Sequence, residues 1–407
     1  MESESAIGVT IDGDKNTEQT SPQNNYLFVA AIDFGTSYSG YAWSSKNDFK
    51  NYLEGKDTEP KIYTNQPWNS GDADRKLVAF GYDAENKYAD LSQEGKHSDY
   101  YFFQRFKMNL HEGFQIETID RILRSVFFNE LFPFANHGST DFSFQSKEMM
   151  ATEMNGKQLP AFEVFAMSIK ALVDHLMTMF QNKGNMATLK IDDIKWILTV
   201  PAIWSEKSKQ FMRKSAVKAG IPNSNLSIAL EPECASVYCQ HLSADHLYGA
   251  RDEYSMKETG QKNVVVDLGG GTADFAVHEK IEGNKLKEIH RSTGSNCGGT
   301  SVDAAFLQFM DTTFGKPVLE TMKKQYPESY LDLMREFESK KRTVNCDETD
   351  TIRMSLPMAA LSKLCSQIHD KSIEDVILSS GHTEKVSVKT DKLRIKSEIF
   401  VEFLCQQ

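Results

Sequence analysis

Apolar positions along this chain follow two rhythms, short continuous runs and a helical spacing, and the two alternate. Leu27 to Ile32 is a short apolar run of the kind a buried strand needs. It closes on Asp33-Phe34-Gly35-Thr36-Ser37, and Ser39 to Trp43 resumes as a strand, so the segment predicts a hairpin. Phe162, Phe165, Ala166, Ile169, Leu172, Val173, Leu176, Met179 and Phe180 fall at helical spacing and predict a core-packing helix. Lys195 to Val200 predicts a strand closed by Pro201. Ser205 is placed to N-cap a helix that runs to about Ala219 and stops at Gly220. Ser227 to Leu230 predicts a further strand, and Pro232 stands at a favourable first-turn position of the next helix. Asn263 to Asp267 is another apolar run; Gly269-Gly270-Gly271 follows it, and Asp274 to His278 resumes the strand. Gly298-Gly299 opens a helix through about Met310, and Leu331 to Arg342 predicts a charged helix. Strands alternating with helices indicate an α/β fold.

One internal echo stands out. Val29 to Trp43 (VAAIDFGTSYSGYAW) and Val264 to His278 (VVVDLGGGTADFAVH) share a plan: apolar strand, Asp at its end, Gly turn with Thr, second strand. Two such hairpins far apart in sequence predict a duplicated α/β unit with a cleft between halves. Residues 1–25 are polar and acidic and read as a disordered tail. The expected division is a first lobe over 26–200, insertion-rich over 46–155, and a second lobe over 201–407.

Composition narrows the function classes. Of 407 residues, 40% are hydrophobic and 25% charged, which suits a globular protein with cores large enough to hold loops accurately. The net charge of -11, without a Lys/Arg run, argues against a nucleic-acid groove. It leaves nucleotides open, because local backbone amides and metal hold those. The six cysteines include no CxxC pair, so a zinc site and a dense disulfide scaffold are not expected, and free thiols are. With no apolar signal core at the start and no apolar run near the roughly 20 residues of a membrane span, a cytoplasmic location is expected. Oligomeric state and protein partners are not legible.

The turns suggest their own chemistry. A tight glycine turn lets backbone N–H groups approach phosphate oxygens with no Cβ in the way, and Thr36, Ser37 and Thr272 add hydroxyl donors. Two carboxylates beside a polyphosphate repel it unless Mg²⁺, with its waters, sits between them. Asp33 and Asp267 are therefore candidates to orient a hydrated Mg²⁺, with Asp274 assisting, in the manner of phosphoryl transfer.

These residues resemble a known family. Ile32 to Ser37 is similar to the first phosphate loop of the 70-kilodalton heat-shock chaperones, and Asp267 to Asp274 (DLGGGTAD) to their second. Thr199-Val200-Pro201-Ala202, then a helix and Leu230-Glu231-Pro232, resembles the segment joining their two lobes. Phe337 to Asn345 (FESKKRTVN) resembles their adenosine-contacting helix. The variants TVPAIW, ALEPECAS and TGSNCGGTSVD are most similar to the heat shock 70 kDa protein 12 branch. The resemblance implies a duplicated actin-like ATPase (ribonuclease H-like) α/β fold, with two lobes around a nucleotide cleft that takes ATP or ADP with Mg²⁺. It implies phosphate contacts from Gly35, Thr36, Ser37, Gly269, Gly270, Gly271 and Thr272, with Gly298 and Gly299 flanking from the second lobe. Asp33, Glu231, Asp267 and Asp274 would arrange Mg²⁺ and the attacking water. Glu338, Lys341 and Arg342 would contact adenosine, and Pro201 would join an interlobe relay. On the residues alone, Pro201 also reads as a strand terminator, Glu231 as a first-turn acid, and the Glu338 trio as a solvated helix face.

The family places a Lys near the γ-phosphate. Here Arg105 falls at the simplest alignment and Lys107 two places on; a guanidinium is a poorer mimic of a compact ammonium, which bears on hydrolysis more than on binding. Family members also carry a later Gly-rich segment over the nucleotide and a peptide-binding β-domain, and neither is expected within the 407 residues. Loss of several charge-assisted contacts, roughly 1.5–3 kcal/mol each, would weaken nucleotide affinity. The expectation is a slow Mg-dependent ATPase; the alternatives are a non-catalytic interaction module of the same fold and, last, a small-molecule kinase of the same superfamily.

Overall fold

The computed structural model describes residues 26–54, 56–57, 61–65, 69–70, 79–108, 110, 149–241, 258–282, 285–344, 351–382 and 384–404. The expected tail over 1–25 lies outside the described residues, as does 111–148 of the expected insertion. In chain order the elements are β1 (Phe28–Phe34), β2 (Ser39–Ser45), α1 (Lys46–Leu53), β3 (Tyr63–Asn65), β4 (Asn69–Ser70), β5 (Ala79–Phe80), α2 (Tyr82–Gln93), β6 (Met150–Thr152), β7 (Gln158–Pro160), α3 (Ala161–Gln181), β8 (Ile194–Val200), α4 (Glu206–Lys218), β9 (Leu226–Leu230), α5 (Glu231–Cys239), β10 (Lys262–Leu268), β11 (Ala273–Ile281), β12 (Lys285–Ser295), α6 (Gly299–Phe314), α7 (Lys316–Gln325), α8 (Pro327–Lys341), β13 (Thr351–Ser355), α9 (Met358–His369), α10 (Ile373–Ser379), β14 (Val386–Lys389), β15 (Lys392–Lys396) and α11 (Ser397–Leu404).

These group into two compact units, the described residues of 1–67, 105–151 and 159–295, and those of 68–104, 152–158 and 296–407. The first unit holds a five-stranded sheet in the order β3-β2-β1-β8-β9. The hairpin pairs β1 and β2 antiparallel, while β1–β8 and β8–β9 are parallel. Alternation shapes β1: Ala30, Ile32 and Phe34 are buried on the face that Phe28 shares, and α3 meets that face with Phe165 against Phe34 and Phe180 against Phe28. The wide apolar stripe read from the sequence is the buried face of α3, including Ile169, Leu172 and Leu176. Ser205 does cap α4, accepting from the Ser208 amide. β8 and β9 pair in register, Val200 opposite Leu230.

The second sheet of this unit is β10-β11-β12, antiparallel throughout. β1–β2 and β10–β11 are true copies at the turn. Each encloses four residues, 35–38 and 269–272, and Asp33 pairs with Gly40 as Asp267 pairs with Asp274. The copies differ at their outer edges. β1 is paired on its far side by β8, whereas β10 is an edge strand among the described residues. Its alternate residues Val264, Val266 and Leu268 are 63%, 52% and 68% exposed, with Phe275 beside Val266 on the same face.

The second unit surrounds a separate core. Phe306 of α6 stacks on Phe337 of α8 at 3.9 Å, and Phe400 and Phe403 of α11 pack against Phe337. Sheet β13-β15-β14 adds Ile352, Met354, Leu393 and Ile395. The α2 helix belongs here: Tyr88 stacks on Phe102, both lie against Leu331 of α8, and Arg335 donates to Glu85 at 3.1 Å. Among the described residues no helix is long and apolar enough to cross a membrane.

Candidate functional site

In the first unit the two glycine turns touch. A Cβ on Gly270 would lie 2.8 Å from the Ser37 Cβ and 3.1 Å from its backbone nitrogen. A Cβ on Gly271 would lie 2.6 Å from the Thr36 hydroxyl and would also strike Met108. The second turn is therefore glycine because the first turn occupies the space a side chain would need. It closes on itself through the Gly269 amide, which donates to the Thr272 carbonyl at 2.9 Å. Gly35, Thr36, Ser37, Gly269, Gly270, Gly271 and Thr272 are thus brought together.

Behind the turns stand the strand-end acids. Asp33 ends exposed, and its Oδ1 accepts from the Thr199 hydroxyl at 2.9 Å. Asp267 is half-buried, and Asp274 is buried with its Oδ1 accepting from the Ile203 amide at 3.4 Å. Glu231 is the first residue of α5, directly after β9, and its Oε1 accepts from the Lys107 ammonium at 2.9 Å. Lys107 is only 4% exposed and lies 5.3 Å from the Trp204 ring centroid. Of the two cations considered near this position, Lys107 is the one brought to the acids. Arg105 is exposed, with its backbone in the left-handed region at φ 55°.

The group is coupled electrostatically. Burial pushes the Asp267 carboxyl above its ordinary range; Asp274 and Asp33 add to that and Lys107 opposes it. Burial also raises Glu231, Lys107 counteracts, and Asp33 and Asp267 add to the rise. These causes tie Asp33, Asp267, Glu231 and Lys107 into one cluster. The nearby Cys234 thiol is pushed up to about 11, first by burial and then by Glu233, Asp33 and Glu231, so it is a poor nucleophile. No three described His, Cys, Asp or Glu residues are close enough to hold a metal by themselves.

The remaining candidates lie in the second unit and also gather. Gly298 caps α6 and Gly299 begins it. Lys341, at the end of α8, donates to Asp303 of α6 at 2.8 Å, to Glu338 at 2.6 Å and to the Gly299 carbonyl at 3.4 Å. Arg342 donates to Glu338 at 2.8 Å. Burial works to raise the Glu338 carboxyl, but hydrogen bonds from Lys341 and Arg342 outweigh it and leave it lowered. These three are a bonded cluster at the α8–α6 junction, which accounts for their charge without solvent alone. Pro201 is buried just past the end of β8.

Sequence reasoning missed Thr199 and Trp204 as neighbours of Asp33 and Lys107. The only signal was their place in TVPAIW, at a strand end before the turn.

Comparison with known proteins identifies the family. The Hsp70 protein family model matches residues 137–376. The chain belongs to the Hsp70 family. Its fold class is the α/β, actin-like ATPase (ribonuclease H-like) class of that family, and the duplicated Asp–glycine hairpin is its visible mark. The chain is similar to heat shock 70 kDa protein 12A of Mus musculus, 30% identical over 407 residues that cover 84% of this chain and 54% of the relative. It is also similar to heat shock 70 kDa protein 12B of Homo sapiens, 29% identical over 405 residues, covering 84% and 53%. A chaperone protein HscA homolog of Acinetobacter baumannii (strain SDF) is 30% identical over 188 residues, covering 43% and 26%. This Hsp70-family chain spans about half the length of the curated relatives 12A and 12B.

Proposed function

We propose that this Hsp70-family chain binds ATP with Mg²⁺ and hydrolyses it slowly. The observation that carries the reading is the contact of turns 35–38 and 269–272, backed by Asp33 and Asp267 and flanked by the Lys107–Glu231 pair.

The residues fit the metal. The donors are hard carboxylate oxygens, and no protein-only cage forms among the described residues. That suits Mg²⁺, which keeps several waters and takes the rest of its ligands from one or two carboxylates and phosphate. Asp33 and Asp267 would hold it through water. When bound, Mg²⁺ supplies charge neutralisation for the phosphates. The chain supplies the rest: turn amides and the Thr36, Ser37 and Thr272 hydroxyls bind phosphate oxygens, and Lys107 offsets their charge. Glu231 and Asp274 orient water. Slow turnover follows from their engagement, since Glu231 is already bonded to Lys107 and Asp274 to the Ile203 amide.

Calorimetry with Mg-ATP tests the reading, with the fold checked by circular dichroism. A saturable heat signal with phosphate release above a buffer blank is expected. Binding without release would leave a non-catalytic module, and no binding would end the proposal. A reducing, cytoplasmic setting goes with this proposal.

A further inference from the structure

We propose that Thr199 is a positioning residue for Asp33, holding that carboxylate in the one rotamer that serves the metal side of the site. The proposal rests on the Mg-ATP reading above and deepens it.

Asp33 ends a strand exposed, where a carboxylate otherwise samples several rotamers. Thr199 is its opposite: 8% exposed, on a central strand, and β-branched, so its own χ1 is restricted. Parallel pairing of β1 with β8, Ile32 opposite Leu198, brings Thr199 alongside Asp33. A buried hydroxyl needs a partner. Two acceptors compete for it, the Asp33 carboxylate at 2.9 Å and the Ile32 carbonyl at 3.4 Å. The shorter, charge-assisted bond is the main one. It ties Oδ1 and leaves Oδ2 without a hydrogen bond among the described residues.

The same short segment reaches the rest of the cluster. Ile203 donates its amide to Asp274, the strand-end partner of Asp267, and Trp204 lies against Lys107. Residues 199–204 thus touch an acid of each hairpin and the buried cation. Thr199 is the only one of the three contacts made by a side-chain hydrogen bond, so it can be removed without disturbing the backbone.

The test compares the wild-type chain with Thr199→Val and Thr199→Ser. ADP affinity is measured by calorimetry in EDTA and across a Mg²⁺ titration, with turnover and melting temperature alongside. Val keeps the branched shape in a buried strand and loses only the hydroxyl's bond, so Thr199→Val is expected to fold and to melt about 2–4 °C below wild type. Its ADP affinity in EDTA should stay within about twofold, while the gain in affinity on adding Mg²⁺ falls about tenfold, the scale of one charge-assisted hydrogen bond. Thr199→Ser restores the hydroxyl and should recover the gain to within about threefold of wild type. A full Mg²⁺ gain in Thr199→Val would overturn the positioning role, as would equal loss in Val and Ser, which marks packing instead. A wild-type chain that binds no nucleotide defeats the Mg-ATP reading itself and this role with it.

Discussion

The ammonium of Lys107 donates to the carboxylate of Glu231 across 124 residues of sequence, with both side chains largely withdrawn from water. A pair of this kind costs desolvation on both sides, and breaking it by removing one partner strands the other. Lys107→Met alone is therefore expected to destabilise the chain by about 3–5 kcal/mol. The double variant Lys107→Met, Glu231→Gln should recover most of that loss. Urea unfolding of the four members of the cycle measures it; equal stability of the single and double variants would show that the pair is not coupled.

Asp267→Asn should separate stability from chemistry. Burial, Asp274 and Asp33 raise the Asp267 carboxyl from its usual 3.8. A raised carboxyl means that the fold holds this proton more tightly than the unfolded chain does. The native state is penalised once the pH passes the raised folded value, and the penalty is absent below the unfolded one. The Asn variant should thus melt higher at neutral pH, by roughly 1–3 °C, with the gain shrinking as pH falls toward about 4. Turnover should fall more than binding. A lower melting temperature at neutral pH would contradict the sign.

Gly270→Ala should weaken nucleotide binding at least about tenfold while the circular dichroism spectrum holds. The added Cβ meets Ser37 at its Cβ and its backbone nitrogen, so the first turn must move, at about 1–3 kcal/mol. Calorimetry with Mg-ATP reads the effect, and wild-type affinity would show that the two turns need not touch.

The exposed face of β10 predicts self-association. Val264→Lys with Val266→Lys places charge on an apolar edge strand. Light scattering of concentrated samples should drop, with stability within about 0.5 kcal/mol of wild type. Unchanged scattering would mean that this face is not what brings copies together.

The regular elements were legible where a pattern completes itself within one turn or strand. The stripe from Phe162 to Phe180, the Ser205 cap and both hairpins lie close to where spacing placed them. The α2 helix was not legible, because it is polar on most faces and is held by Tyr88 against Phe102 and Leu331, contacts distant in sequence. β12 was also missed: its register shifts against β11 between Phe275 and His278, which breaks simple alternation. In the site, every candidate type was visible as a residue, but Thr199 stood only as part of the segment Thr199 to Ala202, and its bond to Asp33 depends on strand pairing distant in sequence.

The sequence by itself determined the repeated Asp–glycine hairpin and the family it belongs to, because turn geometry and strand alternation are local and leave their mark in adjacent residues. Only the tertiary structure decided that Lys107 rather than Arg105 meets Glu231, that the two turns touch, and that the Thr199 hydroxyl reaches Asp33. Those outcomes depend on how β1, β8, β9 and β10 are laid beside one another, and on which cation ends up buried with a carboxylate to offset its desolvation.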